Sequence, residues 1–422
     1  MTVAQTLTQK LLAAACGRDE VAVGEIVTCR VDLAMFHDSS GPRRLQPMLE
    51  SLGAQLWDKS KVVLVIDHYV PEFDDESRRI VRIARGWASA QALPNVYDSV
   101  GICHVVVPEH GHLRPGMFCV GGDSHSPTGG AFGAYMFGIG STEMLGVAVS
   151  GEIWVKVPET LQMRWDGRLA DGVTAKDMML HMIGRFGMNG GRYQAIEFCG
   201  EAVRALSMQE RMTLSNMSAE LGSQVGLIAP DATTLDYLRS VGATAAIDVE
   251  RWQSDEGAAA EVHSFDAGAL APQVAAPHSP ANTRGVGEFA DVAVDVAYLG
   301  ACTGAKLEDL RAAARVLRGK RVADGMHFVV APASQRDQAQ AAREGVMDVL
   351  TAAGAQVLAT TCGACAGYGG SIPEGATVMS STARNFKGRM GAETAQVYLG
   401  SPYTVAAAAL TGRIADPRDL LA

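Results

Sequence analysis

Short apolar runs rich in Val and Ile alternate along the chain with stretches where apolar residues recur every three or four positions. Lys61 to Ile66 reads as a buried strand and runs straight into Asp67 and His68. Met117 to Gly121 reads as a second strand, leading into Gly122-Asp123-Ser124-His125. Val292 to Leu299, followed by Gly300-Ala301-Cys302, is a third, and His327 to Ala331 is a fourth. Helical periodicity marks Leu307 to Arg318 and Ser334 to Gly345. Ser334 suits an N-cap, because its hydroxyl can accept from a free amide at the helix start. Met1 to Cys16 carries Lys10 as its one charged side chain and reads as the first helix of a folded domain, since it lacks the charged start and compact apolar block of a signal peptide. This alternation predicts α/β domains. Open α/β sheets collect their sites at the carboxyl ends of strands, and three of the four strands end beside a polar or thiol residue.

The chain has 422 residues, too many for one simple core. Ser254 to Asn282, rich in Ala, Pro, Ser and Gly, reads as a long connection with a boundary near residue 285. A softer boundary lies near Pro158. Three α/β domains are expected: 1–160, 161–285 with the connecting segment, and 286–422. The net charge of −10 argues against a nucleic-acid partner. No uninterrupted apolar run reaches the roughly 18 residues of a membrane span, so none is expected. Eight cysteines in a chain of this length do not make a disulfide scaffold, and a reducing cytoplasm is the expected location.

Cys362-Gly363-Ala364-Cys365 places two thiols in a glycine-rich turn, where both can face one metal centre. Cys302 lies in another small-residue loop, Gly300 to Gly304. Local chemistry leaves a metal site, a redox pair and plain burial open. A zinc site would want four ligands, and the sequence has no second Cys-x-x-Cys. A cubane cluster on three thiolates is the most informative alternative, because one iron is then left to act as a Lewis acid. Cys16, Cys29, Cys103, Cys119 and Cys199 read as small buried hydrophobes.

Several polar groups stand beside apolar runs. Asp67-His68, His104 and Asp123-Ser124-His125 offer carboxylates and imidazoles at predicted strand ends, and such neighbours can set a proton-transfer pKa. Taken singly, each fits a satisfied structural group or a capped turn equally well. Glu220 lies in a mostly apolar helical context, where a surface glutamate is the default reading. Arg384 and Arg389 could fork onto a carboxylate or belong to a solvated loop.

Together these pieces resemble the aconitase superfamily, and within it the branch of short isopropylmalate dehydratase large subunits. The resemblance spans nearly the whole chain. It rests on nine motifs in family order, from His37-Asp38 and Asp67-His68 through Gly101-Ile102-Cys103-His104, Gly122-Asp123-Ser124-His125, Gly138-Ile139-Gly140-Ser141-Thr142-Glu143 and Asn216-Met217-Ser218-Ala219-Glu220, to Cys302-Thr303, Cys362-Gly363-Ala364-Cys365 and Arg384-Asn385-Phe386-Lys387-Gly388-Arg389. The resemblance implies three α/β domains around a central cluster cleft. It implies a [4Fe-4S] cluster on Cys302, Cys362 and Cys365. Asp67, His68, His104, Asp123, His125 and Glu220 would be the catalytic acid–base groups, and Ser124, Asn216, Arg384 and Arg389 would bind substrate. The sequence departs from the family pattern where Ala301-Cys302-Thr303-Gly304 replaces Ser-Cys-Thr-Asn, and also at Ala383 and Ser126.

The activity implied is reversible dehydration or isomerisation of a hydroxy dicarboxylic acid, with 3-isopropylmalate first. Substituted malates, homoaconitate and phosphomevalonate are the alternatives. A non-catalytic iron-sensing or binding protein is the reading of a different class. No Gly-Ser-Ser-Arg sequence occurs, and about 30 residues follow Arg389, too short a tail for another α/β unit. A separate small subunit carrying the swivelling domain and the serine base is therefore expected.

Overall fold

The computed structural model describes residues 4–243, 246–362, 365, 367–368 and 372–421. It is a mixed α/β structure with largely parallel sheets. The first helix is Leu7–Ala15, capped by Thr6, whose side chain accepts from the Gln9 amide. Strand β1 (Ile26–Arg30) comes next. A parallel five-stranded sheet follows, of β2 (Leu33–His37), β3 (Val62–Ile66), β4 (Asn95–Asp98), β5 (Phe118–Gly121) and β6 (Tyr135–Gly138), in the order β4-β3-β2-β5-β6. Every residue of β3 is fully buried, which is why it reads as an unbroken apolar run rather than an alternating one. Strand β7 (Glu152–Lys156) pairs antiparallel with β1. A four-stranded sheet contains β8 (Thr160–Asp166), β9 (Ala195–Cys199), β10 (Val225–Ile228) and β11 (Glu261–Asp266), ordered β10-β9-β8-β11.

The last sheet has seven strands: β12 (Gln273–Ala275), β13 (Thr283–Gly285), β14 (Val296–Leu299), β15 (His327–Val330), β16 (Gln356–Val357), β17 (Thr377–Ser380) and β18 (Gln396–Leu399). Their order is β13-β12-β18-β17-β14-β15-β16. Its core is Leu299, Val330 and Met379 from the strands with Leu310, Val316 and Leu350 from the helices. The helix Pro402–Thr411 adds a face of small residues, with Ala406, Ala408 and Ala409 fully buried.

Contacts group the chain into two compact units, one of residues 1–98, 106–166 and 191–265, the other of 99–105, 167–190 and 266–422. In the second unit Ser334 caps the helix Gln335–Arg343 by accepting from the Asp337 amide. The segment Ser254 to Asn282 corrects the expectation of a plain connection, since it holds β11 and β12. Strand β11 lies at a sheet edge and is mostly exposed, so it lacks the apolar alternation that would have marked it. Among the described residues no helix is long and apolar enough to cross a membrane.

Candidate active site

In the first unit the acid–base residues gather at the carboxyl ends of three adjacent strands. His37 ends β2, Asp67 and His68 follow β3, and Asp123 follows β5. A Cβ on Gly121 would lie 2.0 Å from the Ser126 hydroxyl oxygen, so only glycine lets the chain turn here and present Asp123. Asp38 is fully buried and accepts from the backbone amides of Asp67, His68 and Tyr69 at 3.4, 3.1 and 2.8 Å. It thereby fixes the turn that carries the Asp67–His68 pair.

His68 Nδ1 lies 2.7 Å from Asp67 Oδ1, and His68 Nε2 lies 3.9 Å from Asp123 Oδ2. Burial works against a charge on His68, but Asp67, then Asp38 and Asp123, outweigh it and raise its pKa to about 10. His68 is therefore an imidazolium at neutral pH. His37 stacks on it with ring centroids 4.2 Å apart, and burial together with the His68 charge lowers the pKa of His37. His37 Nε2 meets the Gly122 carbonyl oxygen at 3.0 Å, so that nitrogen carries the hydrogen. Its buried Nδ1 has no hydrogen-bond partner among the described residues.

The constellation continues through His125, whose amide donates to Asp123 Oδ1 at 2.8 Å and whose Nε2 lies 2.9 Å from Glu220 Oε1. Glu220 is 1% exposed and sits in the turn after the helix Met208–Met217, which corrects the surface reading. Asn216, at the end of that helix, donates to the Thr128 hydroxyl at 2.8 Å, and Thr128 donates to the His125 carbonyl at 2.7 Å. One helix end thus holds both the carboxylate and the segment bearing His125. Ser124 is exposed between its two neighbours. The structure brings together Asp67, His68, Asp123, His125 and Glu220, and adds His37 and Asp38, to which the sequence motif assigned no role.

The remaining candidates belong to the second unit. His104 is buried in the first turn of the helix Cys103–Glu109. The loop before it is held by a bridge between Gly101 and Ser334 and by the Gln335 amide donating to the Val100 carbonyl. Cys302 follows β14 and is buried, Cys365 is buried, and Cys362 is partly exposed. None of the three forms a disulfide among the described residues. Of the other cysteines, Cys29, Cys103 and Cys119 are buried as expected, whereas Cys16 and Cys199 are partly exposed. Gly363 and Ala364 lie outside the described residues.

The loop around Cys302 explains one departure from the family pattern. A Cβ on Gly304 would lie 2.2 Å from Ser381 Cβ, so an Asn has no room there. Ser381 occupies the space instead. Its hydroxyl accepts from the Gly300 amide at 2.9 Å and faces the carbonyls of Gly300 and Gly304 at 3.0 and 3.2 Å. Two buried lysines flank the same loop. Lys306 Nζ donates to the Cys302 carbonyl at 2.9 Å and pairs with Asp309 at 2.8 Å. Lys176 Nζ donates to the carbonyls of Ser381 and Thr382 and to the Thr303 hydroxyl. Burial lowers its pKa to about 7, opposed by Asp309. No strand-end pattern points to either lysine. A lysine at the start of a helix, where a cation is disfavoured, is the one signal that Lys176 leaves in the sequence.

Arg384 and Arg389 are half-buried around the buried Asn385, whose amide nitrogen donates to the carbonyls of Ala276 and Val397 at 2.8 and 2.9 Å. Arg389 Nε is buried with no hydrogen-bond partner among the described residues. Three cysteines outside any disulfide, in small-residue loops and two of them buried, fit an iron–sulfur cluster by the chemistry of the donor set.

Comparison with known proteins decides the family. The model of the aconitase family (aconitate hydratase) matches residues 9–291 and 287–412. The chain belongs to the aconitase family. It is 42% identical, over 99% of its length and 100% of the relative's, to the 3-isopropylmalate dehydratase large subunit 1 of Methanopyrus kandleri. It is 40% identical to the 3-isopropylmalate dehydratase large subunit 1 of Archaeoglobus fulgidus, over 99% and 100% of the two chains. It is 39% identical to the 3-isopropylmalate dehydratase large subunit of a Hydrogenobaculum species, over 98% of each. The crystal structure of Thermococcus kodakaraensis aconitase X in its holo-form shares the fold, with a TM-score of 0.51 at 15% identity over 90% of this chain and 89% of that one.

Proposed function

We propose that this chain is the large, cluster-bearing subunit of a hydro-lyase that reversibly dehydrates or isomerises a hydroxy dicarboxylic acid, with 3-isopropylmalate as first substrate. The observation that carries the reading is the run of acid–base groups from Asp67 through His68, Asp123 and His125 to Glu220, in a family member that also bears Cys302, Cys362 and Cys365 outside any disulfide. When bound to Cys302, Cys362 and Cys365, a [4Fe-4S] cluster supplies a Lewis acid for the hydroxyl and carboxylate of the substrate.

The chain's own residues supply the proton handling. Asp67 accepts a hydrogen bond from His68 Nδ1 and fixes the ring, leaving Nε2–H as the donor that protonates the departing oxygen. Asp123, 3.9 Å from that nitrogen, keeps the imidazolium charged between turnovers. His125 and Glu220 form a second donor–acceptor pair, and His104 adds a further imidazole. Arg384 and Arg389 bind the substrate carboxylates through planar guanidinium groups, with Ser124 and Asn216 contributing hydrogen bonds. A small subunit supplies the base that takes the carbon-bound proton and reads the substrate's side chain. The relatives' designation as large subunits supports this partner.

The test is anaerobic reconstitution of the chain with iron and sulfide, followed by turnover assays on a panel of hydroxy acids with and without candidate small subunits. The reading expects turnover of 3-isopropylmalate only when both subunits are present. Turnover of a different hydroxy acid would reassign the substrate. Inactivity on the whole panel with every small subunit would overturn the reading.

A further inference from the structure

Lys176 is 1% exposed and is the second residue of the helix Ala175–Phe186. The positive end of a helix is an unfavourable place for a cation, and a buried charge needs an anion nearby. Its hydrogen-bond acceptors among the described residues are neutral: the carbonyls of Ser381 and Thr382 and the hydroxyl of Thr303. Neither Asp177 nor Asp309 is a hydrogen-bond partner of Lys176 among the described residues. Asp177 accepts from the backbone and hydroxyl of Thr174 and from the Gln273 amide. Asp309 takes the ammonium of Lys306. Thr303, which accepts from Lys176 at 3.4 Å, directly follows Cys302 in the chain, and the thiols of Cys302 and Cys365 favour the charge of Lys176 in the same sense as Asp309.

We propose that Lys176 is a positioning residue for the iron–sulfur cluster, its ammonium offsetting the negative charge of the thiolate-bound centre and clamping the Cys302 loop through Thr303 and Ser381. This inference rests on the cluster reading above. Three thiolates on a doubly positive cubane leave a net negative charge, which grows by one on reduction. A nearby cation favours the reduced form more strongly, so it raises the reduction potential and slows iron loss. A purely structural lysine would leave the potential alone.

The experiment uses the full chain, reconstituted anaerobically with iron and sulfide, as wild type, Lys176→Arg, Lys176→Gln and Lys176→Met. Glutamine can still hydrogen-bond the loop oxygens without carrying charge. Folding is followed by circular dichroism, iron loss by release to a chelator, and the potential by redox titration of the visible absorbance. The Gln and Met variants are expected to have a lower potential and to lose iron about 10–100-fold faster, while Arg stays close to wild type. Unchanged potential and iron retention in a folded Gln or Met variant overturns the inference and leaves the cluster reading standing. A wild type that takes up no iron overturns the cluster reading and the inference with it.

Discussion

At the scale of single residues, the account turns on which groups are charged. The folded-state pKa of His68, about 10, lies above the roughly 6.5 of an unfolded imidazole. Its charge therefore stabilises the fold fully below about pH 6.5, and that contribution is lost as the pH rises through about 10. The difference in melting temperature between wild type and His68→Gln should be largest below pH 6.5 and shrink steadily toward pH 10. A difference that stays flat or widens would contradict the assignment. Glu220→Gln keeps the shape of the side chain but removes its charge beside His125. It should lower kcat by about 10²–10⁴-fold with the circular dichroism unchanged, the range of a lost acid–base group. Full activity in that variant would return Glu220 to a structural role. Glu220 also shows where sequence reading reaches its limit. Its partner His125 lies 95 positions away, and its local sequence resembles a surface helix.

At the scale of elements, the strands that carry the site were the easiest to read. Strand β3 is buried on both faces, and its apolar run ends within a residue of the predicted limits. The Ser334 cap followed from the same logic. Ser334→Ala should cost about 1 kcal/mol in chemical denaturation, because the Asp337 amide loses its acceptor. A loss near zero would mean that water replaces the cap. Strand β11 was missed because an exposed edge strand shows no apolar alternation. The Cys302 loop was only half legible. Its glycines were visible, but the reason for Gly304 lies with Ser381, a partner far along the chain. Gly304→Ala should force that contact apart, lowering the melting temperature and the iron taken up on reconstitution. Iron uptake equal to wild type would show that the loop has room to adjust.

At the scale of the whole molecule, the order of motifs along the chain told more than any one of them. Each taken alone fits an ordinary capped turn or buried thiol, whereas the fold brings the ends of β2, β3 and β5 side by side and gathers their polar residues. Lys176 was passed over because its acceptors lie 127 to 206 positions later, in other strand-end turns. The central claim is that this chain holds an iron–sulfur centre that meets a hydroxy acid directly. The most direct measurement is Mössbauer spectroscopy of protein reconstituted with isotopically enriched iron, with and without saturating 3-isopropylmalate in the presence of the small subunit. The account predicts a cubane spectrum in which one iron environment changes on adding the hydroxy acid while the others hold. A spectrum without a cubane cluster, or one that the hydroxy acid leaves unmoved, would contradict it.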